Sequence, residues 1–229
     1  MKHLKTAAVV AVTLALAVSS GRAQLTNDVN VGLAIPDNDP NGLVSSISFT
    51  DPGASISDVS VNLDITGGWN GDLYAYLLSP TGQTAVLLNR VGVDVGNSVG
   101  YGDSGFDVTL SSTGNDIHTY QQSSPLFNGT GQLLGNWAAD GRSADPALVT
   151  VADPIDDGLG NFTGADPTGQ WTLFVADLNP GDQSILVSWG VNVDVQPTPE
   201  PSTWAMLGMG LVALGFSVRR RNLRRQGLL

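Results

Sequence analysis

Val59 to Arg90 reads Val-Ser-Val-Asn-Leu-Asp-Ile, then Thr-Gly-Gly-Trp-Asn-Gly-Asp-Leu, then Tyr-Ala-Tyr-Leu-Leu-Ser-Pro-Thr-Gly, then Gln-Thr-Ala-Val-Leu-Leu-Asn-Arg. Val59, Val61, Leu63 and Ile65 alternate with Ser60, Asn62 and Asp64. That period of two predicts a strand with one wet face. Gly67 and Gly68 end it. Leu73, Ala75 and Leu77 begin a second strand, Ser79-Pro80-Thr81-Gly82 has turn chemistry, and Val86 to Leu88 form a third. Three antiparallel strands joined tightly predict the seed of a β-sandwich or barrel.

Further strands follow outward from this stretch. Leu43 to Phe49, Phe106 to Leu110 and Gly169 to Asp177 have strand patterns. Ile185 to Val195 alternates over eleven residues, the cleanest case in the chain. Ser111 to Gly169 is weakly patterned, with short strands expected at Gly131–Trp137 and Leu148–Val151. Helical periodicity is absent between residues 24 and 198. The expected fold is all-β: a jelly-roll-like antiparallel β-sandwich over residues 24–196. It is flanked by an N-terminal signal peptide (1–23) and a C-terminal segment (197–229) with a short transmembrane helix.

Gly71-Asp72-Leu73, Leu78-Ser79-Pro80-Thr81-Gly82 and Leu87-Leu88-Asn89-Arg90 carry a resemblance. So does the later Gly169-Gln170-Trp171-Thr172-Leu173-Phe174-Val175-Ala176-Asp177, followed by Leu186-Val187-Ser188-Trp189. These blocks, in this order, resemble the P domain (Homo B domain) of proprotein convertases and related secreted proteases. The resemblance implies a module that packs beside a catalytic domain.

Charge divides the chain sharply. Between Gln24 and Thr198 the only cations are Arg90 and Arg142, against twenty aspartates, for a charge of −18. Such a surface repels nucleic acid and anionic lipid. Cysteine is absent, which excludes disulfides and thiolate chemistry. The core alone must hold the domain together.

Both ends carry targeting patterns. Lys2 and Lys5, an apolar Ala7–Val18 and Gly21-Arg22-Ala23 make a signal peptide cleaved between Ala23 and Gln24. Gln196 to Pro201 reads as an extended proline spacer. Trp204 to Val218 is apolar, and Arg219-Arg220-Arg221 follows at once. Pro199-Glu200-Pro201, an apolar run and terminal arginines resemble the PEP-CTERM sorting signal of Gram-negative bacteria. That resemblance implies processing by the membrane enzyme exosortase. Fifteen helical residues span only about 23 Å, short of a ~30 Å bilayer core. The segment therefore suits a thin or transient span that ties the protein to the membrane before processing, with the arginines on the cytoplasmic side.

The chemistry-bearing residues are few. Asp37, Asp39 and Asn41, with Gly42 next, match the first half of a calcium loop. Ser48 stands where its terminal glutamate would be, so this is no EF-hand. The stretch reads either as a calcium site, calcium being the one candidate cofactor, or as an Asx-rich turn. His118 has no nucleophile block to serve, and a serine protease needs one. Adjacent Asp156 and Asp157 do not straddle a sugar bond. Trp171 and Trp189 read as core, and Tyr74 and Tyr76 as packed on a sheet face. Trp69 and Trp137 lie in loop or loop-edge sequence and are the candidate ligand-binding aromatics.

The first expectation is an exported, non-catalytic module with a stand-alone P domain, in the envelope or extracellular matrix of a Gram-negative bacterium. Its partners would be exosortase and extracellular polysaccharide. The rivals are an accessory subunit of a secreted subtilisin-like protease and a carbohydrate-binding surface protein.

Overall fold

The computed structural model describes residues 23–51, 54–197 and 201–225. Residues 1–22 of the expected signal peptide, and Pro199 and Glu200 of the sorting motif, lie outside them. The strands are β1 (Ala23–Ala34), β2 (Leu43–Phe49), β3 (Ala54–Gly67), β4 (Leu73–Leu78), β5 (Thr84–Asn89) and β6 (Gly105–Asp116). They continue as β7 (Leu126–Phe127), β8 (Leu133–Ala138), β9 (Gly169–Asp177) and β10 (Ser184–Pro197), and a helix, α1 (Pro201–Arg225), ends the described chain.

Two sheets face each other as a sandwich. One has the order β1-β10-β3-β6-β8-β7, the other β2-β9-β4-β5. Up to β6, consecutive strands cross between sheets except at the β4–β5 hairpin, which the Ser79–Gly82 turn closes through Gly82 N to Ser79 O (3.0 Å). The expected three-strand antiparallel seed is therefore corrected: β3 pairs with β10 and β6, and β4 with β5 and β9. The fully antiparallel expectation is corrected too, because β6 and β8 run parallel. Leu148–Val151 lies in turns and not in a strand.

The alternation seen in the sequence sets the core. Val59, Val61, Leu63 and Ile65 of β3 and Val191, Val193 and Val195 of β10 point inward, each 2% exposed or less. Leu73, Ala75 and Leu77 of β4 and Trp171, Leu173 and Val175 of β9 meet them at 0%. Full burial of each aliphatic side chain contributes about 1.5–3 kcal/mol. Trp171 sits edge-on to Phe162 (centroids 5.0 Å) and Phe49 (6.5 Å), and its Nε1 donates to Pro167 O at 3.0 Å. Trp189 on β10 donates through Nε1 to Ser45 Oγ on β2 at 2.8 Å, tying one sheet to the other.

Gly105 opens β6 with φ +98°, and a Cβ there would strike the Ile65 carbonyl oxygen, so only glycine fits. Its N–H donates to Asn70 Oδ1 at 2.7 Å, fixing the β3–β4 connection.

β10 runs through Gln196 and Pro197, which pair with Ser55 and Ala54, so the expected spacer begins as strand. The helix α1 takes in both the apolar run and the arginines. Among the described residues no helix is long and apolar enough to cross a membrane, which corrects the expected short transmembrane helix. Its apolar run is only fifteen residues before Arg219. Leu207, Met209, Leu211, Val212 and Leu214 are exposed along it.

Candidate functional site

Strand register gathers acids at one end of the sandwich. Leu73 pairs with Asp177, and Leu178 N donates to Asp72 O at 2.9 Å, so the start of β4 and the end of β9 meet. The 35–42 turn folds over them, with Asp39 N donating to Asp177 O at 3.0 Å. Asp37 accepts from Gly181 N at 3.1 Å, and Asn179 Nδ2 donates to Asp72 Oδ1 at 2.6 Å. Arg90 lies 3.9 Å from Asp72 and donates through Nε to Gly71 O at 3.0 Å.

The electrostatics follow from this crowding. Burial raises Asp177 to about 6; the Asn179 amide opposes this, Asp72 and Asp37 add to it, and Arg90 opposes again. Asp72 is raised by burial first, against Asn179 and Arg90, with Asp37 and Asp182 adding. Burial pushes the Arg90 guanidinium down, against the two acids. A cleft of about 460 Å3 adjoins the cluster, lined by Pro40, Tyr74, Phe174, Leu178, Asn179 and Arg90. Such a site can attract cations and exchange protons.

The sequence candidates divide here. Asp39 accepts from Asn41 N (2.9 Å) and Asn41 Nδ2 (2.8 Å), a self-contained Asx turn. Asp37 turns away to Gly181 and comes within electrostatic reach of Asp72 and Asp177. Among the described residues no three His, Cys, Asp or Glu side chains converge closely enough to hold a metal ion.

A second polar cluster surrounds His118. Its Nδ1 lies 2.8 Å from Asp140 Oδ2 and its Nε2 2.9 Å from Val93 O. Arg142 donates to Asp140 Oδ1 at 3.1 Å and Asp116 Oδ2 at 2.7 Å. Asn89 N also donates to Asp140 Oδ2, at 3.1 Å. His118 is 1% exposed, at the base of a cleft of about 330 Å3 that Val93, Asp94, Tyr101 and Gln122 also line. It is a buried charge network joining β5, β6 and the loop after β8.

Trp137 is corrected: it is 6% exposed and packs with Tyr120 in the core, ring centroids 6.1 Å apart. Trp69 stays partly exposed at 37%, its Nε1 donating to Val99 O at 3.1 Å. Tyr74, Tyr76 and Phe174 cluster on the outer face of the four-stranded sheet, Tyr76 stacked on Phe174 at 4.9 Å. Ala23 and Gln24 begin β1, opposite Val195 and Asp194. Pro201 opens α1, which also holds Arg219, Arg220 and Arg221.

Residues 56–117 match the proprotein convertase P-domain, and residues 197–221 match the PEP-CTERM protein-sorting motif. The chain carries a P-domain and a C-terminal PEP-CTERM sorting signal. The P-domain match runs from β3 to the end of β6. The sorting signal implies an exported protein, sorted to the cell surface and processed by exosortase. No curated protein matches the chain. Among solved structures, the serine protease of Aeromonas sobria is similar at 19% identity and a TM-score of 0.44, over 77% of this chain and 27% of that one. The complex of that protease with its chaperone ORF2 gives 17% and 0.44, over 78% and 28%. The P-domain protein thus spans little more than a quarter of the length of the chains it matches.

Asp72, Asp177, Asn179, Asp116, Asp140 and Arg142 were not legible as site residues. Arg90 and Arg142 carried a signal, however: two cations among twenty aspartates are each expected to gather carboxylates.

Proposed function

We propose that this P-domain protein is an exported, non-catalytic binding module, held at the cell surface or in extracellular matrix after exosortase has processed its tail. The alternation of β1–β6, β9 and β10 between the sheets supports a jelly roll into which the β7–β8 ribbon is inserted. The observation that carries the non-catalytic reading is the state of His118. It is the one histidine of the domain, and both ring nitrogens face buried partners. A general base must reach the proton it takes.

The P-domain match favours one rival, an accessory subunit of a separate secreted serine protease. Calcium near Asp37 belongs to the proposal as well, supported by the alternate oxygen-bearing positions of the 37–41 turn and not by a convergent acidic cluster among the described residues. The test is turnover: the purified full chain is incubated with peptide substrates. No hydrolysis is expected. Hydrolysis that survives repurification and is lost in His118→Ala would overturn the non-catalytic reading.

A further inference from the structure

The two outer faces of the sandwich differ in chemistry. On the six-stranded sheet, β3 turns Ser60, Asn62 and Asp64 outward, as a wet face requires. On the four-stranded sheet, β4 turns out Tyr74 and Tyr76, and β9 turns out Phe174. Register sets Phe174 between Tyr76 and Val44 of β2, which is 60% exposed. The cleft of about 460 Å3 opens at this aromatic strip, walled by Tyr74, Phe174, Pro40, Leu178 and Pro146. Its size falls within the ~300–1,000 Å3 of small-ligand sites. The Tyr74 and Phe174 rings meet at 64° with centroids 6.4 Å apart, so the wall is angled and aromatic.

Buried polar groups in and beside this cleft lack partners among the described residues. Arg90 lines it and is only 8% exposed. A guanidinium carries five N–H donors. Nε donates to Gly71 O at 3.0 Å, Nη2 to Ser98 O at 3.1 Å and Nη1 to Pro146 O at 3.5 Å. Asp72, at 3.9 Å, is beyond hydrogen-bond reach. Three of the five donors are used, and two are left over in a largely apolar cleft, where an unmade hydrogen bond is costly. Asn89, opposite Tyr74 in the register and 0% exposed, keeps its Oδ1 without a partner.

We infer that this cleft binds a neutral polysaccharide of equatorially substituted pyranose rings, which deepens and rests on the binding-module reading. The apolar C–H face of such a ring packs against Tyr74 and Phe174. Its rim of hydroxyls accepts from the two spare Arg90 N–H groups and donates to Asp145 and to Oδ1 of Asn179, whose Nδ2 is held by Asp72. A hydroxyl both donates and accepts, so one sugar serves both kinds of group. An anionic glycan fits less well, because Asp72 and Asp177 already answer the charge of Arg90 and the surrounding domain carries −18. A peptide also fits less well. The strands β4 and β9 are the inner ones of their sheet, so their backbone groups are taken and offer an extended chain no ladder.

The full chain is titrated with cellohexaose, with hexagalacturonate and with the neutral peptide Gly-Phe-Gly-Phe-Gly. Cellohexaose is expected to bind with an affinity that added salt leaves unchanged, since it carries no charge. Hexagalacturonate is expected to bind at least about tenfold more weakly. Phe174→Ala should weaken cellohexaose about fivefold. Arg90→Lys, which keeps the charge but loses the fork of donors, should also weaken it about fivefold. Phe127→Ala removes a ring that is 39% exposed on the other sheet and should leave binding unchanged. Melting temperatures show which variants fold. Phe174 is half-buried on an outer face, so Phe174→Ala decides the matter alone if Arg90→Lys does not fold. Cellohexaose binding that is absent, or unaltered in Phe174→Ala, overturns the assignment. So does the peptide binding as tightly with the same sensitivity to Phe174→Ala. Each of these leaves the binding-module reading standing, because that reading falls only to peptide turnover.

Discussion

His118 Nδ1 lies 2.8 Å from Asp140 Oδ2 with both side chains out of solvent, and Arg142 holds the other oxygen of the same carboxylate. The geometry resembles the base-and-orienter half of a triad. Its surroundings make it structural instead, since Val93 O takes the second ring nitrogen. Removing one member of a buried charge network leaves the others unpaired, which costs about 3–5 kcal/mol. His118→Ala and Arg142→Met are each expected to lower unfolding stability by about 3 kcal/mol. Denaturant midpoints check this; wild-type values would show that the network is not supporting the fold.

Stability should rise on mild acidification. Burial alone pulls the His118 pKa down, but the hydrogen bond and charge of Asp140, with Val93 O, outweigh it against Arg142, and the net shift is upward. A raised folded pKa gives stability that is fully present below the ordinary 6.5 and is lost as pH rises through the folded value. Asp177, raised from 3.8 to about 6, follows the same sign: its contribution grows as pH falls from about 6 to 3.8. The melting temperature is therefore expected to be higher at about pH 5 than at about pH 8. Asp177→Asn should remove much of the acidic part of that rise and stabilise the protein at the higher pH by on the order of 1 kcal/mol. A melting temperature that falls steadily from pH 8 to 5 would contradict both assignments.

Asp107→Asn is expected to stabilise the ligand-free protein by about 0.2–1 kcal/mol, because it removes like charges from a cross-strand pair. Thermal melting at low salt reads the gain, and added salt should shrink it. A loss of stability would mean that the Asp107 carboxylate has a structural partner.

If Asp37 helps to bind calcium, millimolar calcium should raise the melting temperature by mass action on the folded state. Sodium at equal ionic strength should not match that rise, and Asp37→Ala should abolish it. Asp39→Ala should leave it largely intact, because Asp39 is committed to Asn41. Equal responses to the two salts would remove calcium from the account.

Much of the sandwich was legible because period-two burial writes itself into β3, β9 and β10. The strand β1 was not, for a local reason. Leu25, Val29 and Val31 alternate toward the core, but Asn27 occupies the fourth inward position and donates to Ser48 O at 3.0 Å. One polar residue, satisfied by the opposite sheet, hid a strand of twelve residues. The parallel β6–β8 pairing depends on contacts across a long loop and leaves no periodic trace. Trp137 read as a loop aromatic because Gly135 and Asn136 interrupt its strand pattern, yet its ring packs on Tyr120. The acidic end joins residues more than one hundred positions apart, brought together by the Leu73–Asp177 register and the 35–42 turn folded over it.

The central claim is that an acidic P-domain is exported and then released from its tail by exosortase, and the intact mass of the protein tests it most directly. Cleavage after Ala23 should start the mature chain at Gln24. In the native host the mature mass should lack Arg219 to Leu229. In a host deleted for exosortase the same preparation should retain them. A native, exosortase-positive envelope that yields protein ending at Leu229 would contradict the account.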